Sequence, residues 1–335
     1  MFFAELGAEV IKVENAKTDG DMTRHWKLAK EDKSASVSAY FSSINFQKTY
    51  LRKDLSDASD LSEVKSIIAT ADIVISNFST GAAQRFGLDA NSLTAAYPQL
   101  IHAHLSGFVS QPDKVAFDMV LQAETGFLSM SGTARGEVTK MPVALIDILA
   151  AHQLKEGILV ALLHRAETGK GGSIRSSLEE SALASLANQA SNYLMTGHVA
   201  QKMGTLHPNI APYGEVVMSR DQVEFVLAVG TEGQFTKMAK WLNIPLLAEE
   251  RFSSNQLRLD SREELHTLLK RAFATLDSQE IEERSKEEKI PIGRIKSLDE
   301  VLETETAKGM RRQETIEGQD TLRMSSLAFH FSPTL

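Results

Sequence analysis

One acidic side chain stands out by its company. Asp147 is the only charge in Val143-Ala144-Leu145-Ile146-Asp147-Ile148-Leu149. From Ile148 onward the spacing predicts a helix, with Ile148, His152, Lys155 and Leu159 on one side and Leu154, Ile158, Ala161 and Leu162 on an apolar one. Thr168-Gly169-Lys170-Gly171-Gly172 reads as its stop. Asp147 therefore sits at or just before the mouth of a long, mostly buried helix. There a carboxylate is favoured by the helix dipole and accepts from free N–H groups, so the local pattern alone reads it as a cap. Asp118 and Gln122 lie one helical turn apart and can face each other or a cleft. His102 and His104 alternate onto one face of a strand, but no third ligand accompanies them, so a metal site is not expected. No GxGxxG follows a strand, which counts against a dinucleotide enzyme.

The elements that carry these residues follow from the pattern. Phe2 to Leu6 reads as a helix end and Glu9 to Glu14 as an alternating strand, as in a βαβ unit met after its first strand. Leu61 to Ala71 reads as a helix, with Ala71 to Ser76, Leu100 to Phe108 and Ser173 to Ser177 as strands. Asn77 to Asp89 (NFSTGAAQRFGLD) is a loop and helix at a strand's end, where a parallel sheet places ligands. There an asparagine can bond amides and an arginine can pair phosphate. Leu178, Leu183, Leu186, Ala190 and Leu194 predict a single amphipathic helix ended by Gly197. Residues 198–213 are rich in breakers and read as a linker. Beyond it, 214–300 has the texture of a small α/β domain: a hairpin-like pair, then charged amphipathic helices. The tail, 301–335, alternates weakly and ends near a Ser-Pro.

Composition narrows the function. The chain has 335 residues and no cysteine, so it has neither disulfides nor a thiolate metal site. Its 36 Lys and Arg against 44 Asp and Glu give a net charge of −8, which disfavours nucleic-acid and membrane-surface partners. No apolar run is long enough to span a bilayer, and no signal-peptide pattern opens the chain. A cytoplasmic setting is the expectation.

These segments together carry a family resemblance. Leu6 to Glu14 (LGAEVIKVE), Ser76 to Gly81 (SNFSTG), Pro142 to Gly171 (PVALIDILAAHQLKEGILVALLHRAETGKG) and His207 to Tyr213 (HPNIAPY) resemble, in order and spacing, the family III CoA-transferases, the formyl-CoA transferase and carnitine CoA-transferase group. Asp147 falls on that family's nucleophilic aspartate. The resemblance implies an α/β fold: a Rossmann-like large domain made from both chain ends, residues 1–197 and 301–335, plus a small α/β domain. It also implies an interlocked homodimer threaded through the segments near 197–213 and 290–310. The family begins with a further strand and an LAGP-type loop, so the chain is expected to start inside the helix that follows them.

The implied substrate is a coenzyme A thioester, with no permanently bound cofactor. Asn77, Phe78, Arg85 and Lys114 fall on its coenzyme A contacts, with Ser79 and Thr80 where the family has arginine and proline. Asp118, Gln122 and His207 are the substrate-site candidates, and HPNIAPY points to a dicarboxylic acceptor, with succinyl-CoA as donor. Related racemases place a histidine base where this chain has Phe117, which cannot take a proton, so racemase or isomerase chemistry is the weaker alternative. A non-catalytic coenzyme A-binding homologue is the other. Arg24, in a loop resembling the family's GDxxR, reads equally as a solvated surface residue or as half of an ion pair.

Overall fold

The computed structural model describes residues 1–332, so Pro333 of the terminal Ser-Pro lies outside the described residues. Parallel strands form two ladders. In the first, β1 (Val10–Asn15) pairs with β2 (Lys48–Lys53), Val10 opposite Lys48. In the second, β4 (Ile101–Ser106) lies between β3 (Ile73–Ser76) and β5 (Gly172–Ser177). Val- and Ile-rich strands of this kind are covered on both faces in α/β proteins.

The long helix runs Leu145–Thr168 and ends at Gly169 with φ 72°. Leu154 and Ile158 pack against Ala103 of β4, with Phe3, Ile73 and Ile174 around them. Gly157 lets helix and sheet close, because a Cβ there would meet Ile174 Cγ2 at 2.8 Å. The helix connects β4 to β5, and these strands are parallel, so it returns antiparallel to them. Its amino end, with Asp147, therefore lies at the carboxyl end of the sheet, where open α/β sheets bind ligands.

A second sheet is antiparallel: β6 (Tyr213–Met218), β7 (Glu224–Ala228) and β8 (Ile292–Arg294). It shares a core with the helices Glu232–Leu242, Arg262–Phe273 and Ser278–Glu288, built on Phe225, Leu227, Met238, Leu265 and Phe273. Strand β8 is only three residues long, too short for alternation to mark it.

The tail forms a hairpin, β9 (Arg311–Ile316) and β10 (Gln319–Met324). Glu317 and Gly318 turn it with φ of 48° and 82°, the backbone that two-residue hairpins favour. The hairpin covers the first ladder: Ile316 packs on Val37 and Phe41. Beneath it Arg24, 1% exposed, holds Glu14 at 2.9 and 3.2 Å and Glu317 at 3.1 Å, with its guanidinium 4.0 Å from the centre of the Phe41 ring. Arg24 is thus half of a buried ion pair.

One expectation is corrected. The stretch after β5 is two helices, Leu178–Ala184 and Ala187–Thr196, broken where Ala187 takes φ 46°. Leu178 and Ala182 enter the core, whereas Leu194 and Met195 stand 79% and 84% exposed. Periodicity marks an apolar face but does not say whether its own chain covers it. No helix among the described residues is long and apolar enough to cross a membrane.

Candidate active site

At the mouth of the long helix the capping role belongs to another residue. Ala144, the N-cap, has no side chain to offer. Instead Asp118 reaches in from the helix Asp118–Glu124, and its Oδ1 accepts the Ile146 N–H at 2.7 Å. Its Oδ2 accepts from Gln122 Nε2 at 2.6 Å, and Gln122 Oε1 accepts the Met141 N–H at 3.0 Å. Gln122 is fully buried with both ends of its amide engaged, holding the segment that leads to the helix.

Asp147 is left spare. It is the third helical residue and is exposed. Surrounding protein nevertheless strips hydration from its carboxyl and, with the charge of Asp118 added, pushes its pKa up to about 6. A helix amino end would by itself pull the other way. The residue is thus open to solvent, yet its carboxyl is held above the ordinary carboxylate range by neighbouring protein and by Asp118. Ile146 points into the core against Phe108, Leu121 and Ala150. The apolar neighbours on the open side are Val143 and Ile148, both exposed.

Tyr40 was not singled out by the sequence pattern. It sits in the short helix Ala39–Ser42 with its ring edge-on to Trp26 at 5.0 Å. Burial and then the charges of Asp147 and Asp118 push its phenol up, so it keeps its proton within the field of both carboxylates.

Topology gathers other candidates at the same end of the sheet. Asn77 directly follows β3 and is exposed. Phe78 is half-buried, packed with Val64, Leu93 and Leu100 and edge-on to Phe86, so its ring supports the loop from inside. Arg85, on the helix Thr80–Phe86, is exposed with its guanidinium 4.7 Å from the Phe86 ring centre. Past β4, Lys114 pairs with Glu124 and lies over Phe108. This turn needs Gly107, where a Cβ would meet the Ala116 Cβ at 2.2 Å. On the sheet itself Ser76 Oγ bridges His102 Nε2 at 3.1 Å and His104 Nδ1 at 3.2 Å, so the paired histidines are held by a strand neighbour.

His207 is placed differently. Its Nδ1 accepts the Asn209 N–H at 3.1 Å, a local turn cap. Arg262, also missed in the sequence, fixes this segment by donating to the carbonyls of His207, Ile210 and Tyr213 and to Glu215, whose side chain is fully buried. Two shallow, open hollows lie elsewhere: about 390 Å³ beside Leu61 and Tyr97, and about 640 Å³ between residues 203–206 and the Arg262–Phe273 helix. Neither is lined by Asp147, Asp118 or Tyr40.

Comparison with known proteins places this geometry. A family model described as CoA-transferase family III matches residues 1–335. The chain is 32% identical over 324 residues to a succinate–glutarate CoA-transferase of Agrobacterium fabrum, covering 95% of this chain and 80% of that protein. It is 30% identical over 278 residues to a succinyl-CoA:glutarate CoA-transferase of Mus musculus, covering 82% of this chain but 62% of that one. The crystal structure of a CAIB/BAIF family protein from Brucella suis superposes with a TM-score of 0.80 at 32% identity, over 99% of this chain and 87% of that one. On the family match across its whole length and these likenesses, the chain belongs to CoA-transferase family III, a family of transferase enzymes.

Proposed function

We propose that the protein moves coenzyme A from an acyl-CoA, succinyl-CoA in this reading, to a small dicarboxylate, with Asp147 as covalent carrier. One observation carries the proposal: Asp147 is open, raised in pKa and released from capping by Asp118. The names of the Agrobacterium and mouse relatives support succinate and glutarate as the acids.

The steps balance without water. An Asp147 carboxylate oxygen attacks the thioester carbonyl, the C–O bond forms, and the C–S bond breaks with its electron pair leaving on the coenzyme A thiolate. The thiolate then attacks the Asp147 carbonyl of the anhydride, expels the donor carboxylate and leaves an aspartyl-CoA thioester. The acceptor carboxylate attacks that carbonyl and expels the thiolate. Attack by the thiolate on the acceptor acyl carbon releases the new thioester and restores Asp147. Tyr40, a protonated donor, is our candidate for steadying the oxyanion. Asn77, the backbone at Phe78, Arg85 and Lys114 are the proposed coenzyme A contacts.

We propose a homodimer, interlocked through the segments near 197–213 and 290–310, with residues 1–197 and 301–335 forming the coenzyme A-binding domain and 214–300 the small one. The exposed Ile148, Leu159, Val160 and Leu163 of the long helix, with Leu194 and Met195, support a second copy covering this face. Light scattering of the native protein tests it, and a folded monomer contradicts it. We place the reaction in the cytoplasm.

The functional test incubates the protein with succinyl-CoA and glutarate, itaconate or other dicarboxylates and separates the thioesters formed. Appearance of the acceptor's thioester is expected. Coenzyme A binding with no new thioester from any acid overturns the transferase reading in favour of a binding homologue. Exchange of an α-proton with solvent would favour isomerase chemistry, which Phe117, exposed beside Asp118, gives no means to perform.

A further inference from the structure

We propose that Asp118 is the positioning residue of this site: it caps the nucleophile's helix from a separate helix, freeing the Asp147 carboxylate and setting a second negative charge behind it. The proposal rests on the reading of Asp147 as nucleophile. Its basis is a two-point clamp. Asp118 holds the Ile146 N–H, the fully buried Gln122 holds the Met141 N–H, and the two side chains are bonded to each other. The whole approach to the helix, 141–146, is thereby fixed from one turn of a neighbouring helix. Such fixing matters because small displacements of a reacting group cost large factors in rate.

The charge has a second use. Asp118 is the charged group whose field acts on Asp147, and the Tyr40 phenol in turn feels both carboxylates. Attack on a thioester converts the Asp147 carboxylate into a neutral anhydride, so repulsion from Asp118 is present in the resting enzyme and fades in the transition state. An interaction that differs between those states accelerates the step, whereas one that is equal in both does not. The same repulsion makes Asp147 more basic and a better nucleophile.

The test measures kcat and KM against pH for the wild type, Asp118→Asn, Asp118→Glu and Asp147→Asn, with thermal melts as a check on folding. For Asp118→Asn the proposal expects kcat to fall about tenfold with KM for the acyl-CoA within about twofold. The acid limb of kcat/KM should move down by about half a pH unit, since burial, the larger cause of the raised pKa, remains. Asp118→Glu should return the limb toward the wild-type position. A normally melting Asp118→Asn with an unmoved limb overturns the proposal. Should that variant fail to fold, Gln122→Leu releases half of the clamp and keeps the charge: lower kcat with the limb in place supports the proposal, and unchanged kcat refutes it. Turnover surviving in Asp147→Asn would instead refute the nucleophile reading, so the two failures are distinguishable.

Discussion

Glu14 and Asp147 are both carboxylates set in protein, and they are treated oppositely. Glu14 is 4% exposed. Burial alone would raise its pKa, yet hydrogen bonds from Arg24 and Lys12 outweigh burial and hold it below the usual range. Asp147 is far more open, yet it is raised to about 6, because burial acts on it with no cation opposing and Asp118 adds repulsion. Partners, more than depth, decide the charge of a carboxylate. The Arg24 knot ties β1 to the tail hairpin and is satisfied. At the capped mouth of the long helix the Asp147 carboxylate has no such cation beside it, which suits a group that must form and break bonds.

The largest effect should come from removing the unsatisfied group. Asp147→Asn is expected to lower CoA transfer by about a thousandfold or more while the thermal melt stays close to wild type, since an activated nucleophile is lost and no packing is. Retained transfer would break the contrast at its functional end.

At the satisfied end, Arg24→Met strands Glu14 beneath the hairpin. Loss of one partner of a buried pair costs about 3–5 kcal/mol, read by denaturant unfolding, and a loss well under 1 kcal/mol would show that the knot is not the anchor described. Arg262→Met should cost less, about 2 kcal/mol, because Arg262 is partly open to solvent although Glu215 is not. The same variant should make the 207–213 segment more sensitive to proteolysis.

The smallest effects concern pH and have opposite signs. Glu14, with its lowered pKa, contributes stability in full above the ordinary carboxylate range, and that contribution is lost as pH falls through its folded value. Asp147, with its raised pKa, opposes folding when charged. That penalty is full above about pH 6 and disappears as pH falls toward the ordinary carboxylate range. Asp147→Asn should therefore stabilise the protein slightly at neutral pH, by less than about 1 kcal/mol given its exposure to screening solvent, and the gain should vanish on acidification. In the wild type, kcat/KM should drop about tenfold per pH unit below about pH 6.

Local patterns made the frame legible. The 3.6-residue period and Gly169 revealed the long helix, and an apolar run between turn residues revealed β3. The same period puts Asp147 at the helix mouth, and only the family resemblance proposes it as a nucleophile rather than a cap. What escaped was non-local. The true cap, Asp118, lies 28 residues from the N–H it accepts, and no spacing rule connects them. Arg262 reaches back about fifty residues to hold the HPNIAPY segment. The left-handed turn at Ala187 carries no glycine or asparagine to announce it, and the effect of Asp147 and Asp118 on Tyr40 arises between residues far apart in sequence.

The most direct measurement is peptide mass spectrometry of the protein quenched during turnover with succinyl-CoA. The account predicts a hydroxylamine-labile coenzyme A adduct on the Asp147 side chain, absent from Asp147→Asn. An active enzyme that carries no adduct there, or carries it on another residue, contradicts the central claim.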